Sequence, residues 1–450
     1  MNIVKTLVLF VIFALLAAYV YFYEIQGGKE RELAEQAAQR IISFENDSVK
    51  IIEIRNIFNR FYFERTDNTW RIKNPIETGA DKATIDGLLN SIKNMKMVRN
   101  FTIRDGEQKD YGLVGRSSLV IFQFNNGKRD SVRFGDDTPV GGNVFVSKGD
   151  TLVYTVASYD KNSVTKNLFD WRDKSLAKVE QSEVKEFKLK NSKGLFHFVK
   201  EGSDWLIKKP RETRAENSRV DGVLRKFESG KTKSIVSENL DNPDEFNLAR
   251  PAYQIDFYLG EGKAHKSVIL SRLNNNVSNV KEDSRPQVMT VDSLFIRDID
   301  KSFFDFRDKK ISEFDKNIAD SVIVTQGDSI LYFVKDTSDT WLLGGEIKVK
   351  DWKMNALLTT VNNLKAKKFI MENVSSTDKY GLNRPERMVE IYHRGKKVQS
   401  LLVSEHNDKK VAFSPGAQKV VEIEDSSFNN LEVKVDDFID TSIKTAEEIS

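Results

Sequence analysis

The sequence predicts an α+β fold of three tandem repeats with mainly antiparallel sheets, preceded by an N-terminal transmembrane helix. Two observations predict this fold. A unit of about 135 residues occurs three times, and an uncharged apolar segment lies near the N-terminus. With 450 residues, the chain is long enough for three units that each bury a hydrophobic core.

Three landmarks recur in the same order along the chain. Each repeat has a tryptophan that closes a short hairpin, then a Tyr-Gly-Leu-like turn, then a glycine and a lysine between two strands. Successive copies lie 133–136 residues apart. The landmarks are Trp70, Trp205 and Trp341; residues 111–113, 246–248 and 380–382; and Gly127, Gly262 and Gly395. Repetition at constant spacing outweighs any single short motif, so it sets the domain organisation.

The repeat boundaries and the N-terminal features divide the chain into six segments. They are a membrane anchor (1–28), a short helical stalk (29–46), repeat 1 (47–176), repeat 2 (177–311), repeat 3 (312–445) and a tail (446–450).

The anchor is predicted from the 18 residues Thr6–Tyr23, which carry no charge. As a helix they span about 27 Å, close to the hydrocarbon thickness of a bilayer. Aromatic residues gather at the end of the segment, as at a membrane interface. A cleaved signal peptide is the alternative. We expect a retained single-pass anchor in the inner membrane, with residues 25–450 outside the cytoplasm.

The stalk is predicted from an amphipathic pattern over residues 29–43. Leucine, alanine and isoleucine residues line one side of this segment, and charged or amide residues line the other. The pattern predicts a helix that serves as a stalk or as a cap on repeat 1. A helix that binds a partner protein is the alternative.

Repeat 1 shows the strand and helix pattern most clearly. A strand over residues 49–54 and a hairpin over residues 61–72 precede Pro75, which cannot donate to a ladder. Asp81 is the expected N-cap of a helix whose apolar residues recur at three- and four-residue steps, namely Ile85, Leu88, Leu89, Ile92 and Met95.

The second half of repeat 1 predicts further strands and a closing helix. Asn126 and Gly127 tolerate positive φ and predict a tight turn between strands 119–124 and 132–134. Strands over 144–146 and 152–154 and a short helix over 158–168 complete the unit. Repeats 2 and 3 show the same pattern.

An Arg-Asp-Lys sequence ends repeat 1 (residues 172–174) and repeat 2 (residues 307–309), whereas repeat 3 ends without one. The motif therefore occurs only where another repeat follows. We predict a junction clamp, in which an ion pair and a helix-end cation orient the next repeat. An anion-binding site built from the arginines is the alternative.

Composition excludes several classes of site. The chain has no cysteine, so disulfides, thiolate nucleophiles and cysteine-ligated metals are excluded. The formal net charge is +3 without a basic block, which argues against nucleic-acid binding. Four histidines occur, and none pairs at metal-ligand spacing. They are His197, His265, His393 and His406.

The segment from Gly135 to Asn143 is the most unusual predicted loop. Its adjacent carboxylates, Asp136 and Asp137, lie among glycines and could bind calcium or a sugar. A tight surface loop is the favoured interpretation, because repeats 2 and 3 lack the carboxylate pair. Trp70, Trp205 and Trp341 occupy one repeat position and predict core packing.

Several stretches together resemble a bacterial family known only as domain of unknown function 4340. The stretches are residues 21–29 (YFYEIQGGK), Trp70 to Pro75, Ala80-Asp81, residues 111–113, Gly135 with Thr138-Pro139, and residues 172–174. The sequence departs from the family pattern at Gly115, where repeats 2 and 3 have proline, and at Phe246–Leu248. The resemblance implies a single-pass envelope protein encoded beside gliding-type ABC-transporter permease and auxiliary subunits. It supplies no catalytic residues.

We therefore expect a non-enzymatic accessory or scaffold component of an ABC-type transport system. An envelope glycan- or lipid-binding module and an extracytoplasmic hydrolase with dispersed carboxylates stay open as alternatives. The sequence predicts no catalytic, cofactor-binding or metal-binding residue and no cofactor. The expected partners are the membrane and ABC-transporter permease or auxiliary subunits, with glycan or lipid as a possible ligand.

Overall fold

The computed structural model describes residues 10, 12–14, 16, 19–21, 39–115, 117–149 and 151–441. Most of the predicted anchor, residues 29–38 of the predicted stalk and the predicted tail lie outside these residues. Within the described ranges, no helix is long and apolar enough to cross a membrane.

The described residues of repeat 1 form nine strands and three α-helices. Its elements are β1 Val49–Arg55, β2 Arg60–Thr66, β3 Thr69–Asn74, β4 Thr78–Gly79, α1 Lys82–Asn94, β5 Arg99–Thr102, β6 Ser118–Phe124, β7 Arg129–Asp137, β8 Asn143–Ser147, β9 Leu152–Ala157, α2 Ser158–Asn162 and α3 Leu168–Trp171.

Repeats 2 and 3 contain the same elements in the same order. Repeat 2 has β10 Val184–Asn191, β11 Gly194–Glu201, β12 Asp204–Lys209, β13 Thr213–Arg214, α4 Asn217–Glu228, β14 Ser234–Ser237, β15 Tyr253–Leu259, β16 Ala264–Leu270, β17 Val277–Glu282, β18 Val288–Asp292, α5 Ser293–Ile299 and α6 Phe303–Phe306. Repeat 3 has β19 Ser321–Gln326, β20 Ser329–Lys335, β21 Trp341–Leu343, β22 Ile347–Lys348, α7 Asp351–Asn362, β23 Lys368–Glu372, β24 Arg387–His393, β25 Lys396–His406, β26 Lys409–Ser414, β27 Lys419–Glu422, α8 Asp425–Asn429 and α9 Val435–Phe438.

The strands of each repeat, counted in chain order, form one sheet with the arrangement 4-3-2-1-6-7-8-9-5. Neighbouring strands run antiparallel, as predicted. The fold is mostly β, so the expected α+β class is correct only in part. One helix of 12 or 13 residues per repeat covers the sheet, and the other helices have four to seven residues.

Helix α1 shows how sequence and packing fix the helix position. The Asp81 side chain accepts a hydrogen bond from the Thr84 backbone N–H at 2.8 Å, which confirms the predicted N-cap. The predicted apolar face is buried against the sheet, at Ile85, Leu88, Leu89 and Ile92. Burial of each such side chain contributes about 1.5–3 kcal/mol before entropy is subtracted. The tryptophans Trp70, Trp205 and Trp341 are also buried, as predicted.

The segment before repeat 1 differs from the predicted stalk. Residues 39–45 contain no helix, so the helix predicted over 29–43 is wrong for its described part. Instead, Ile41, Ile42 and Phe44 are buried in the core of repeat 1, and Arg40 forms a β-bridge with Lys96. The apolar residues that suggested a helix are therefore apolar because they are buried in this core. Ser175 and Lys310 form the same bridge before the later repeats, with Lys231 and Lys365.

The chain divides into two compact units, and the boundary passes through repeat 2. One unit comprises residues 1–192 and 223–300, and the other comprises residues 193–222 and 301–450. The first unit contains contacts between repeats 1 and 2, and the second contains contacts between repeats 2 and 3. Each of these two repeat junctions therefore lies within a single unit.

The predicted loop at Gly135–Asn143 is partly a strand, because residues 135–137 belong to β7. A Cβ atom at Gly135 would lie 2.1 Å from the Tyr111 backbone oxygen. The backbone of β7 thus approaches the 111–113 turn so closely that only glycine fits.

Replacing Gly135 with alanine should therefore destabilise repeat 1 by about 1–3 kcal/mol, the usual cost of overpacking. The matched control is Gly87→Ala in helix α1, where a Cβ atom meets nothing within 4 Å. That change should stabilise the helix by up to about 1 kcal/mol. Urea unfolding followed by near-ultraviolet circular dichroism measures both effects. Equal midpoints for the two variants would contradict the close approach.

Candidate functional site at the repeat junctions

The Arg-Asp-Lys motif of repeat 1 follows helix α3 and lies against the edge of the sheet. Arg172 forms a β-bridge with Ala80, and the Asp173 backbone N–H donates to the Gly79 oxygen at 2.9 Å. Lys174 Nζ donates to the Asp170 backbone oxygen at 2.8 Å. Because the last carbonyls of a helix lack partners, this lysine is the predicted helix-end cation.

Arg172 forms the predicted ion pair with repeat 2. Its Nη1 and Nη2 atoms donate to Glu238 Oε1 and Oε2 at 2.6 and 2.8 Å. The Arg172 side chain is only 5% exposed, whereas Glu238 is half-exposed. A bidentate pair fixes the orientation of both groups, so it specifies how repeat 2 meets repeat 1.

A β-bulge precedes the glutamate that receives this arginine. The pairing of β14 with β18 shifts register between Ile235 and Ser237, and Glu238 follows directly. Strand β23 of repeat 3 has the same shift, between Phe369 and Met371, just before Glu372. Strand β5 of repeat 1 pairs with β9 without a shift. A bulge changes the direction of the side chains that follow it, so the bulge determines where Glu238 and Glu372 point.

A second ion pair reinforces the first junction from the opposite side of the motif. Arg285 of repeat 2 donates to Asp173 Oδ2 at 2.7 Å and to the Ser175 backbone oxygen at 2.7 Å. Burial alone would raise the pKa of Asp173, but hydrogen bonds from Ser175 and the Arg285 charge lower it overall. Lys231 Nζ also lies 3.2 Å from the N-cap carboxylate of Asp81.

The second junction has the same clamp, except that two arginines pair with the glutamate. Arg307 Nη1 donates to Glu372 Oε1 at 2.5 Å, and Arg211 Nη2 donates to the same oxygen at 2.9 Å. Burial would raise the pKa of Glu372, but Arg307 and Arg211 lower it overall. Lys365 pairs with Glu216 at 3.2 Å, as Lys231 pairs with Asp81. Two guanidinium groups thus share one carboxylate here.

The third repeat has the same backbone bridge but no arginine in it. Ala80, Ala215 and Val349 each form the same β-bridge, with Arg172, Arg307 and Ile439 respectively. The last repeat therefore has isoleucine where the earlier repeats have the clamp arginine.

A polar cleft accompanies each junction. The first has a volume of about 290 Å³ and is lined by residues that include Arg71, Asp173 and Arg285. The second has a volume of about 370 Å³ and is lined by residues that include Arg214, Asp308 and Lys419. Asp173 and Asp308 occupy equivalent positions, so the two clefts are one feature of the repeat.

The second junction also has a larger groove, which we call the Phe303 groove. Its volume is about 870 Å³. Apolar residues of helix α6 and of the edge strand β23 line it together with charged residues. The residues that define it are Phe303, Phe304, Phe369, Ile370, Met371, Arg211, Arg307 and Glu372.

The histidines and the Asp136–Asp137 pair do not form a site. The four histidines lie in four different strands, β11, β16, β24 and β25. Asp137 pairs with Lys161 at 3.3 Å, while the Asp136 carboxylate faces the Gly112 turn. The two carboxylates thus have different neighbours and do not converge. Among the described residues, no group of three or more His, Asp or Glu side chains could hold a metal ion.

Outside the clamps, the neighbouring carboxyl groups of Glu282 and Asp283 have shifted pKa values. Burial raises the pKa of Glu282, whose side chain is only 1% exposed, while the pKa of neighbouring Asp283 is lowered. Ser284 donates to Glu282 Oε2 at 2.6 Å, and no described residue forms a hydrogen bond with Oε1. Because Glu282 is closed to solvent, it does not present a paired acid to a substrate.

Sequence reasoning identified the arginines but missed their partners. Glu238 and Glu372 lie 134 residues apart and could have been found as acids shared by the two repeats that follow another repeat. Arg211 and Arg285 carry no such signal, since neither recurs at the equivalent position of another repeat.

Comparison with known proteins finds one family. The model of the family described as "Domain of unknown function (DUF4340)" matches residues 70–251, 205–385 and 344–449. The three matched segments begin at or shortly after the tryptophan of each repeat. A search of curated proteins gives no match.

Among solved structures, the chain has weak similarity to sliding clamps from Pseudomonas aeruginosa. One is a DNA polymerase sliding clamp with ligand, at 8% identity over 87% of this chain and 96% of that chain, with a TM-score of 0.15. Another is a DnaN sliding clamp (DNA polymerase III subunit beta) bound to griselimycin, at 9% identity over 86% and 94%, with a TM-score of 0.13. Scores this low support no argument about this chain.

Replacing Glu238 with glutamine should destabilise the first junction by about 2 kcal/mol, because it leaves the buried Arg172 without a counter-charge. The control is Asp86→Asn, which removes the exposed pair that Asp86 forms with Lys82. That change should cost less than about 0.5 kcal/mol. Urea unfolding measures both, and equal costs would show that the clamp contributes no more than a surface ion pair.

The lowered pKa of Asp173 predicts a pH dependence with a definite sign. Its ordinary value is 3.8, and the folded-state value lies below it. The stabilisation is therefore fully present above the ordinary value and is lost as the pH falls through the folded value. Asp173→Asn should flatten the acid side of the plot of unfolding free energy against pH. An unchanged acid side would contradict the pairing with Arg285.

Proposed function

This chain belongs to the family of the domain of unknown function DUF4340, and from that premise we propose a non-enzymatic accessory or scaffold component of an ABC-type transport system. The apolar segment Thr6–Tyr23 supports a single-pass anchor in the inner membrane. The bulk of the chain would then lie outside the cytoplasm. The resemblance described above supports the link to a transporter.

The clamps are the observation that carries the scaffold function. Arg172 and Arg307 are each buried between successive repeats and paired with a glutamate of the next repeat. Such pairs specify geometry more than they add stability, because burying charges costs free energy. A fixed orientation of neighbouring repeats at each junction suits a scaffold that presents binding surfaces to other proteins.

A second candidate function is an envelope binding module for lipid or glycan. The Phe303 groove favours it, because an apolar groove at a repeat junction offers a place for a ligand. The third alternative, an extracytoplasmic hydrolase, gains no support from Glu282, since that carboxylate is buried away from solvent.

In-cell photo-crosslinking of the full-length chain tests the proposed accessory function. A photoreactive residue would replace one exposed apolar residue in each repeat: Ile57 (66% exposed), Leu195 (54%) and Ile330 (70%). Mass spectrometry would identify the crosslinked proteins, and cells kept in the dark would serve as the control.

We expect crosslinks to ABC-transporter permease or auxiliary subunits from at least one repeat. The repeat that yields them would locate the docking surface. Recovery of this chain alone, or of envelope polymer or lipid alone, would contradict the accessory function.

A further inference from the structure

The Phe303 groove has the size and lining of a small-molecule site. Its volume of about 870 Å³ lies within the range of about 300–1,000 Å³ that is usual for such sites. Phe303, Phe304 and Phe369 are partly exposed along it, and Met371 is 48% exposed. The Phe304 and Phe369 rings meet edge to face, with centroids 6.0 Å apart. The groove therefore has an apolar wall, and the guanidinium groups of Arg211 and Arg307 lie against it, each with Cζ 5.5 Å from the Phe303 ring centroid.

A buried guanidinium with free donors belongs to the same groove. The Arg307 side chain is 4% exposed, and its Cζ lies 3.4 Å from the Phe369 ring centroid. Its Nη1 donates to Glu372, but Nε and Nη2 have no hydrogen-bond partner among the residues that the structure describes. A buried donor without a partner costs about 1–3 kcal/mol, so an additional acceptor would stabilise this arginine.

The groove is also short of negative charge. Arg211 and Arg307 share the single carboxylate of Glu372, and Lys419 Nζ lies 5.8 Å from the Phe369 ring centroid. Burial and the charge of Arg307 lower the pKa of Lys419. Four cations, Arg211, Arg307, Lys367 and Lys368, line the groove with only two carboxylates, Glu372 and Glu422. A ligand with one anionic end complements this excess of positive charge.

The first junction provides the contrast within the same chain. There, Ile76 occupies the position of Arg211, and Gln287 occupies the position of Lys419. Both Nη atoms of Arg172 are paired with Glu238. The cations at these two positions, Arg211 and Lys419, are therefore specific to the second junction and are not needed to join two repeats.

We propose that the Phe303 groove binds a single-chain amphiphile with an anionic head, such as a long-chain carboxylate or a lysophospholipid. The apolar tail lies on Phe304 and Met371, where it removes exposed apolar area from water. The head lies beside Arg211 and Arg307, next to the rings of Phe303 and Phe369, and supplies the missing negative charge. A neutral glycan would leave that charge uncompensated.

The proposal deepens the second candidate function and is independent of the transporter partner. The test uses the full-length chain in its membrane and diazirine-bearing probes with one 16-carbon chain length. One probe ends in a carboxylate, one is a lysophosphatidate, and one ends in a neutral alcohol. After illumination, mass spectrometry measures labelling of peptides that contain residues 303–307 and 367–373.

The variant for this test is the double substitution Arg211→Ile and Lys419→Gln, which copies the residues of the first junction. We expect it to reduce labelling by the anionic probes about tenfold, equivalent to about 1.4 kcal/mol. The control is Lys82→Gln, which removes a cation that is 70% exposed and lies far along the chain from the groove. Thermal unfolding of both variants checks that the fold is intact.

Labelling by either anionic probe above the alcohol supports the proposal, and the stronger of the two identifies the head as carboxylate or phosphate. Equal labelling by the alcohol, labelling that survives the double substitution in a folded protein, or no labelling in these peptides would each overturn it. These outcomes are separate from the protein crosslinks that test the accessory function, so either idea can fail alone.

Discussion

Each repeat junction depends on one requirement, that a guanidinium removed from water must be paired. The side chains of Arg172 and Arg307 are 5% and 4% exposed, and each finds a glutamate of the following repeat. Because such a pair tolerates little change in distance or angle, it fixes how one repeat meets the next. The backbone bridge that holds the arginine, at Ala80 or Ala215, sets the position of its side chain.

The parts of the clamp occur only in the repeats that use them. Repeat 3 has Ile439 at the arginine position. Repeat 1 has neither the β-bulge nor the glutamate in its strand β5. Repeat 2 has both parts, Arg307 for the repeat that follows and Glu238 for the repeat that precedes. The differences among the three repeats therefore record their order in the chain.

The sequence predicted what depends on local pattern and could not predict what depends on tertiary placement. The repeats, the antiparallel hairpins and the Asp81 cap follow from spacing, turn residues and capping chemistry. The recurrence of Arg172 in repeat 2 identified it in the sequence. Its partner Glu238 could not be identified in this way, because it lies 66 residues away and a β-bulge sets the direction of its side chain. Likewise, the apolar residues Ile41 and Ile42 suggested a helix, whereas they are buried in the core as non-helical chain.

Hydrogen exchange of the intact chain tests the central claim most directly, with β5 as an internal reference for β14. Arg172→Leu should accelerate exchange of the β14 amides, since β14 leads into the glutamate that the arginine holds. Exchange in β5, the equivalent strand without a clamp, should stay unchanged. Equal acceleration of the two strands, or none in either, would contradict the view that the buried arginine holds the junction together.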